Sequence, residues 1–293
     1  MRHFLLELRG MKKSKIYIIV GPTASGKTAY SIKLAKKVDG EIISADSRQV
    51  YKGLDIGTGK VTKKEMAGIP HHLLDVANPR KRFTVADWQK QARQKIEEIL
   101  ARGKTPIIVG GTGFYIQSIV DDLVLPEVPP NKELRAKLAL KTPAELFKIL
   151  KTLDPERAKN IDNQNPLRLI RAIEIAEALG KVPSLKKSVN PKYDFIQIGI
   201  KVEQEKLNKK IYRRLIERLK HGMIAEIKRL HTNGLSWKRM EELGLEYRYL
   251  ARFLQGKITR PEMIDRLYRE IVKYSKRQMT WFKRDKKIKW FRL

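Results

Sequence analysis

Near its amino end the chain reads Gly21-Pro22-Thr23-Ala24-Ser25-Gly26-Lys27-Thr28, directly after the apolar run Ile16-Tyr17-Ile18-Ile19-Val20. The residues that follow have a pattern typical of a helix. A strand, a glycine-rich loop and a helix in this order form a phosphate-binding P-loop. We therefore predict that all eight residues of the loop, 21–28, bind a diphosphate or triphosphate group.

The residue types of the loop fit that chemistry. Glycines allow several backbone N–H groups to approach one anion, and the N-terminus of a helix adds partial positive charge. Lys27 supplies a point charge, and the Thr28 hydroxyl can reach a magnesium ion. We predict Mg²⁺ as the cofactor and Thr28 as the residue that contacts it.

Two further apolar runs predict parallel strands of an open α/β sheet. Residues 41–45 run into Asp46, and residues 106–109 run into Gly110-Gly111-Thr112-Gly113. The carboxyl ends of such strands face the ligand side of the sheet. A helix is predicted between them, with Thr84 as N-cap and Gly103 just past its end. Residues 195–200 are a fourth strand candidate.

Prolines and helical periodicity divide the chain into three parts. We predict the first part of a P-loop core over 11–126, a helical insertion over 127–191, and over 192–293 the completion of the core together with basic C-terminal helices. The predicted fold class is therefore α/β, a P-loop core with a parallel sheet plus a helical insertion and a helical C-terminal region. The insertion is either a scaffold or a lid beside the ligand face.

The balance of charge indicates the kind of partner. The chain has 63 Lys and Arg against 32 Asp and Glu, a net charge of +31. So large a positive field attracts polyanions and favours nucleic acid. Heat adaptation also produces lysine-rich surfaces, but it usually enriches glutamate alongside lysine, which is not the case here.

Near the carboxyl end, basic residues are interleaved with aromatic ones, Trp281, Phe282, Trp290 and Phe291. Such aromatic side chains suit either stacking on bases or anchoring in the core.

Several classes of protein are excluded or disfavoured by composition. The absence of cysteine excludes disulfides and thiolate metal sites and suits a reducing cytoplasm. The His71-His72 pair has no further histidine or cysteine at the spacing of a metal site, so no metal centre is predicted there.

Residues 1–10 contain too short an apolar core for a signal peptide and are interpreted as an extension, with Met11 a second possible start. No stretch reaches the roughly 18 to 20 apolar residues of a membrane span. We expect a cytoplasmic monomer with no membrane partner.

Asp46 is the candidate acid or base of the site. P-loop kinases and triphosphatases hold magnesium with an aspartate at the end of an apolar strand, but the run 107–109 ends in glycines and Thr112. The carboxylate at the mouth of the sheet is instead Asp46. It can accept a proton from a nucleophile that attacks near the bound phosphate. A helix cap or a magnesium ligand are the alternative roles for this residue.

Blocks of sequence spread over nearly the whole chain resemble, in order, the motifs of the tRNA dimethylallyltransferase family. They are residues 21–28, Asp46-Ser47-Arg48-Gln49-Val50-Tyr51, Asp55-Ile56-Gly57-Thr58, Pro70-His71-His72-Leu73-Leu74-Asp75, Gly110-Gly111-Thr112 with Tyr115, Arg168-Leu169-Ile170-Arg171-Ala172, and Lys276-Arg277-Gln278-Met279-Thr280-Trp281. Without cysteine, the chain resembles the compact bacterial form and not eukaryotic relatives with a zinc finger.

The resemblance implies a reaction. The P-loop would hold the diphosphate of dimethylallyl diphosphate, and the dimethylallyl group would move to the exocyclic amine of the adenosine 3′ of the anticodon in tRNAs reading codons that begin with U. The partner is then the tRNA anticodon stem-loop, and diphosphate is released. That amine is a poor nucleophile, so the reaction needs a nearby base and a stabilised leaving group.

The resemblance also implies roles for individual residues. Asp46 looks like the general base, Thr112 like a substrate-contacting threonine and Arg214 like an arginine at the diphosphate. Contacts with tRNA, in part through the insertion, are implied for Ser47, Arg48, Gln49, Arg135, Arg168, Arg171 and Arg248. The stretch 241–246 is longer and more acidic than its equivalent in many relatives.

Other functions fit parts of the sequence. One is transfer of the prenyl group to free adenine nucleotides, but a mononucleotide needs no field as strong as that of +31 charges. A small-molecule P-loop kinase and a non-catalytic RNA-binding protein are further alternatives. The products formed from labelled dimethylallyl diphosphate with tRNA or with AMP would separate these functions.

Overall fold

The structure is a computed structural model that describes residues 13–185 and 192–292. The chain divides into two compact units, one of Met1–Asp122 with Val189–Leu293 and the other of Leu123–Ser188. The predicted extension over 1–10, the second start at Met11, and Pro191 and Leu293 at the ends of two predicted parts lie outside the described residues.

The first unit is built on a parallel sheet in the order β3-β2-β4-β1-β5-β6. Every neighbouring pair in it is parallel, which confirms the predicted α/β class. The strands are β1 Ser14–Val20, β2 Gly40–Ala45, β3 His71–His72, β4 Thr105–Gly110, β5 Tyr193–Lys201 and β6 Lys289–Arg292.

Helices account for most of the remaining described chain. They are α1 Lys27–Val38, α2 Lys63–Met66, α3 Val85–Ala101, α4 Gly113–Val120, α5 Lys132–Leu138, α6 Pro143–Leu153, α7 Pro155–Lys159, α8 Pro166–Leu179, α9 Gln204–Lys220, α10 Met223–Thr232, α11 Trp237–Leu243, α12 Leu245–Leu254 and α13 Arg260–Phe282. In the described part of the chain, no helix is both long and apolar enough to cross a membrane.

Both faces of the sheet are buried, as the continuous apolar runs of its strands require. Ile18 of β1 faces a core shared with Trp88 and Ile96 of α3. The next residue, Ile19, faces a second core shared with Ala35 of α1. Side chains alternate between the faces because successive residues of a strand point to opposite sides.

The predicted crossover helix is confirmed as α3. Thr84 is its N-cap, with a capping box in which the Thr84 side chain accepts from Asp87 N and the Asp87 side chain accepts from Thr84 N. Gly103, just past its end, has a φ of 71°, a left-handed conformation that favours glycine. The Trp88 indole N–H donates to Ser44 O of β2 at 2.9 Å, so the helix is fixed against the strand that leads to Asp46.

The register of the sheet places three chain segments side by side. Val20 at the end of β1 is level with Gly110 of β4, and Gly110 is level with Ala45 at the end of β2. The P-loop, Asp46 and Gly111 therefore follow the carboxyl ends of three neighbouring strands. The carboxyl ends of the strands form the ligand side of a parallel sheet.

The C-terminal helices predicted within 192–293 are present between Gln204 and Phe282, but the prediction misses β6. In β6, Trp290 is level with Gly199 of β5, and a Cβ on Gly199 would lie 2.5 Å from the indole of Trp290. Only a residue without a side chain leaves that space. The core interpretation holds for buried Phe282 and half-buried Trp281 and Trp290, whereas Phe291 is 48% exposed.

The second unit is helical, as the periodicity of its sequence predicts. Its core contains Leu146 and Leu150 of α6 packed with Leu169 and Ile173 of α8. The buried carboxylate of Glu174 on α8 accepts from Asn131 N at 2.7 Å, so it connects α8 to the residue before α5.

Candidate active site

The P-loop and the edge of the sheet enclose a cavity of about 370 Å³ in the first unit. Its lining residues come from the loop, the strand ends and the helices α1, α9 and α13. They are Thr23, Ala24, Ser25, Gly26, Lys27, Thr28, Ser31, Ile42, Ser44, Asp46, Gln49, Thr58, Gly59, Val61, His71, Leu74, Val109, Gly110, Gly111, Lys210, Arg213, Arg214, Glu217, Tyr274 and Gln278. The sequence-predicted phosphate loop and the predicted base therefore share one cavity.

The P-loop packs closely against β5 at its first residue and then leads into a helix N-terminus that favours an anion. Gly21 has a φ of 149°, and an added Cβ would collide with the Ile200 carbonyl of β5. The loop leads into the N-terminus of α1, where free N–H groups and the helix dipole favour negative charge. Among the described residues, the buried hydroxyl of Ser25 has no hydrogen-bond partner. The loop thus offers a donor that a phosphate oxygen can accept from.

The electrostatics of the cavity also favour an anion. Burial, together with the charge of Arg214, lowers the pKa of Lys27 to about 7, against the opposite effect of Asp46. Burial and the charge of Arg218 lower the pKa of Arg214 to about 9. In both cases burial of the cation is the larger cause of the lowered pKa, and a neighbouring arginine adds to it. A diphosphate would supply a compensating negative charge.

Arg214 of α9 and Gln278 of α13 each form a hydrogen bond with Thr23 of the P-loop. The guanidinium of Arg214 donates to the Thr23 hydroxyl. The Gln278 side chain accepts from Thr23 N at 2.9 Å and donates to Gly111 O at 2.9 Å. Gln278 therefore joins the P-loop to the end of β4.

Asp46 is held by the backbone that follows it. Its Oδ1 accepts from Arg48 N at 2.8 Å and from Gln49 N at 3.3 Å. Within the described chain its Oδ2 has no hydrogen-bond donor, and the residue lines the cavity. One oxygen is thus used to fix the turn while the other is available to a substrate proton.

The predicted neighbours of Asp46 have different positions. Thr112 Oγ1 accepts from Ser47 N at 3.0 Å, so this pair supports the turn without lining the cavity. Arg48 is turned to other backbone groups, since its Nε donates to Leu243 O at 2.7 Å. Gln49 does line the cavity.

Apart from Arg48, the other four arginines predicted to bind tRNA differ in exposure. The side chain of Arg168 is 60% exposed and lies 3.3 Å from Asp162. Arg135 and Arg171 are instead paired with the buried carboxylate of Glu174. In the first unit, Arg248 donates to the Glu241 carbonyl from both Nε and Nη2, at 3.2 and 3.0 Å.

Several cavity residues were not identified from the sequence. Lys210 and Arg213 of α9 lie on the face of the helix opposite to its buried leucines, and their spacing with Arg214 is the signal that could have found them. Tyr274 and Gln278 are one turn apart on α13, a spacing that places both on one face. Burial raises the pKa of Tyr274, so this phenol is a neutral hydrogen-bond donor.

The donor set also fits the predicted magnesium ion, bound together with a substrate. Thr28 and Asp46 line the same cavity and offer hard oxygen atoms. Across the described residues, no group of three or more His, Cys, Asp or Glu could hold a metal. His72 is paired with Glu41 at 2.7 Å. Magnesium usually binds through one or two protein oxygens, waters and substrate phosphates, which matches this arrangement.

Comparisons with known proteins agree with this geometry. A model of the IPP transferase family matches residues 49–285. The chain is 47% identical to tRNA dimethylallyltransferase 2 of Treponema denticola, over 94% of this chain and 93% of that protein. The full-length tRNA isopentenylpyrophosphate transferase of Bacillus halodurans is similar in structure, with a TM-score of 0.72 and 38% identity over 96% of this chain and 90% of that one. A eukaryotic dimethylallyltransferase acting on tRNA gives a TM-score of 0.78 at 26% identity, over 95% of this chain and 74% of that one. The chain therefore belongs to the IPP transferase family and is a prenyltransferase.

Proposed function

We propose that this enzyme transfers the dimethylallyl group of dimethylallyl diphosphate to the exocyclic amine of the adenosine 3′ of the anticodon, in tRNAs reading codons that begin with U. The observation that carries the proposal is the single cavity that joins the P-loop to Asp46. A diphosphate in the loop and a base at the strand end are the two groups that this reaction needs.

The proposed reaction breaks one C–O bond and forms one C–N bond. The allylic C–O bond breaks, and its electron pair leaves with the diphosphate. The lone pair of the adenine amine forms the new C–N bond, and the proton that the amine loses passes to Asp46 Oδ2. Asp46 then releases the proton to solvent.

The residues of the loop stabilise the charge that develops on the leaving diphosphate. The N–H groups before α1, the ammonium of Lys27 and the guanidinium of Arg214 all lie at the cavity. Such donors are most effective where the negative charge grows during the reaction. Mg²⁺ bound at Thr28 would neutralise part of the charge of the diphosphate.

We also propose the contacts with RNA. Arg168 has an exposed guanidinium that can pair with a phosphate, and Arg248 keeps part of its side chain exposed. Arg135 and Arg171 share the buried carboxylate of Glu174, so in this proposal they contribute charge from fixed positions. Ser47 and Arg48 shape the turn after Asp46, and Gln49 and Thr112 support the adenosine end of the site. Because tRNA is the substrate, we infer a cytoplasmic enzyme, and we propose that it acts as a monomer.

The nucleoside product tests this proposal. Unmodified tRNA, AMP and buffer are incubated separately with the enzyme, Mg²⁺ and labelled dimethylallyl diphosphate. Mass spectrometry of the nucleosides identifies the product, and mass spectrometry of ribonuclease fragments of the tRNA locates it. We expect prenylated adenosine from tRNA only, at the position next to the anticodon, with one diphosphate released per prenyl group. Label on AMP alone would reject tRNA as the substrate.

A further inference from the structure

A buried carboxylate lies behind the site, on the far side of the segment that follows Asp46. Glu226 of α10 is only 1% exposed. It accepts from three consecutive backbone N–H groups, Asp55 at 3.1 Å, Ile56 at 2.6 Å and Gly57 at 3.1 Å. The Tyr247 hydroxyl donates to it as well, at 3.0 Å. Consecutive N–H groups that converge on one anion form a nest, so the carboxylate fixes the backbone conformation of 55–57.

The segment held by Glu226 leads directly into the cavity. Thr58 and Gly59 follow it and line the cavity. The Gln49 amide donates to Thr58 O at 3.5 Å and to Gly59 O at 3.2 Å. Gln49 N in turn donates to Asp46 Oδ1 at 3.3 Å. Hydrogen bonds, joined by short covalent stretches at residues 57–59 and within Gln49, thus connect the buried carboxylate to the proposed base.

Packing against Tyr247 and Arg218 restricts the movement of segment 55–59. A Cβ on Gly57 would lie 2.8 Å from the Tyr247 hydroxyl, so the backbone is in close contact with that ring. The Arg218 guanidinium donates to Gly57 O at 3.3 Å and lies 3.5 Å from Glu246. Movement of the segment would break these contacts. Within the part of the chain that the structure describes, Glu226 is the anion that accepts from the amides of 55–57.

We propose that Glu226 is a positioning residue for the adenosine end of the active site. It touches neither substrate nor diphosphate; it holds segment 55–59 so that Gln49 and Asp46 keep the geometry that proton removal requires. A misplacement of about 1 Å at a reacting group can lower a rate about 100-fold. This inference rests on the proposed function.

The test compares variants that differ in which buried hydrogen bonds they lose. Glu226→Gln keeps the shape of the side chain but leaves a single acceptor oxygen and turns an N–H₂ group toward backbone donors. Glu41→Gln is the matched control, because Glu41 is also a buried carboxylate of the first unit, 4% exposed. It is paired with His72 and Arg102, and none of these three residues lines the cavity. Tyr247→Phe removes only one of the donors to Glu226.

We expect Glu226→Gln to lower kcat for tRNA prenylation by about 10- to 100-fold, with the Kd for inorganic diphosphate unchanged within about twofold. Glu41→Gln should lose thermal stability to a similar degree and keep kcat. Tyr247→Phe should lower kcat by about two- to tenfold, as for the loss of one hydrogen bond. Amide exchange at 55–57 should accelerate in Glu226→Gln and in Tyr247→Phe but not in Glu41→Gln.

A Glu226→Gln enzyme with normal kcat per folded molecule would overturn the inference, as would an equal loss of diphosphate affinity and of kcat. Should Glu226→Gln fail to fold, Tyr247→Phe decides, since an unchanged kcat in that variant contradicts the role. These results are distinct from a failure of the proposed function, in which the wild-type enzyme itself would not prenylate tRNA.

Discussion

Asp46 combines a structural and a chemical task in one carboxylate. Its Oδ1 fixes the turn through Arg48 N and Gln49 N. The chemistry that we propose uses Oδ2. The two tasks can be separated by substitution, because asparagine keeps the acceptor oxygen of a carboxylate and loses its basicity.

We expect Asp46→Asn and Asp46→Ala each to lower the rate of the chemical step by about 100-fold or more, with little change in the Kd for tRNA. Asparagine should keep the melting temperature near that of the wild type. Single-turnover prenyl transfer and tRNA binding measure the two effects, and Asp39→Asn, an exposed aspartate paired with Lys104, is the control. Loss of tRNA affinity as large as the loss of rate would rule out a base.

The residues of the site that could be predicted from the sequence are those with a local pattern. The P-loop and Asp46 each directly follow an apolar strand, so short-range order is enough to find them. Gln278 lies 255 residues from Thr23, its hydrogen-bond partner. Such a contact depends on how helices pack, which apolar periodicity alone does not define.

Among the elements, the strands predicted correctly from the sequence are those with at least three apolar residues within a run of four to six. β1, β2, β4 and β5 were predicted within a few residues of their ends. β3 consists of two half-buried histidines, and β6 of two aromatic residues between a lysine and an arginine, so neither has an apolar run long enough to identify it. Both are edge strands that exist through pairing with a neighbour.

The contact of α13 with the P-loop predicts an effect on diphosphate binding. Gln278→Ala removes the hydrogen bonds to Thr23 N and Gly111 O. We expect the Kd for inorganic diphosphate to rise by about tenfold, the effect of about 1.4 kcal/mol from lost neutral hydrogen bonds. Calorimetry measures it, with the exposed Gln94→Ala of α3 as control. An unchanged Kd would show that the loop keeps its shape without α13.

Acid should loosen the second unit through Glu174 of α8. Burial alone would raise its pKa, but hydrogen bonds from Arg135, Arg171 and Asn131 N outweigh burial and lower the pKa to about 2 from its ordinary value of 4.5. A lowered pKa in the folded state stabilises that state fully above about pH 4.5 and loses this effect as the pH falls toward 2.

We therefore expect amide exchange in α8 to accelerate between about pH 4.5 and 2 in the wild type, after correction for intrinsic exchange. In Glu174→Gln, exchange should already be faster at neutral pH and should change less over that window. An identical pH dependence in both proteins would contradict the assignment of this carboxylate.

At the scale of the whole molecule, the charge of +31 should dominate association with RNA. We expect the Kd for tRNA to rise steeply with salt. Arg168→Gln should reduce the slope of log Kd against log salt by about 1, the effect of one phosphate contact. Arg93→Gln, whose side chain is 46% exposed and paired with Asp122, is the control and should leave the slope unchanged. A flat salt response of the wild type would contradict electrostatic binding of tRNA.

We propose that the P-loop cavity binds a prenyl diphosphate. Calorimetric titration of the enzyme with dimethylallyl diphosphate and, separately, with ATP, in the presence of Mg²⁺, tests this assignment. The account predicts that the prenyl diphosphate binds at one site, that Lys27→Ala weakens this binding at least tenfold through loss of a charged contact, and that ATP binds far more weakly. Tight binding of ATP together with no heat from the prenyl diphosphate would contradict the account.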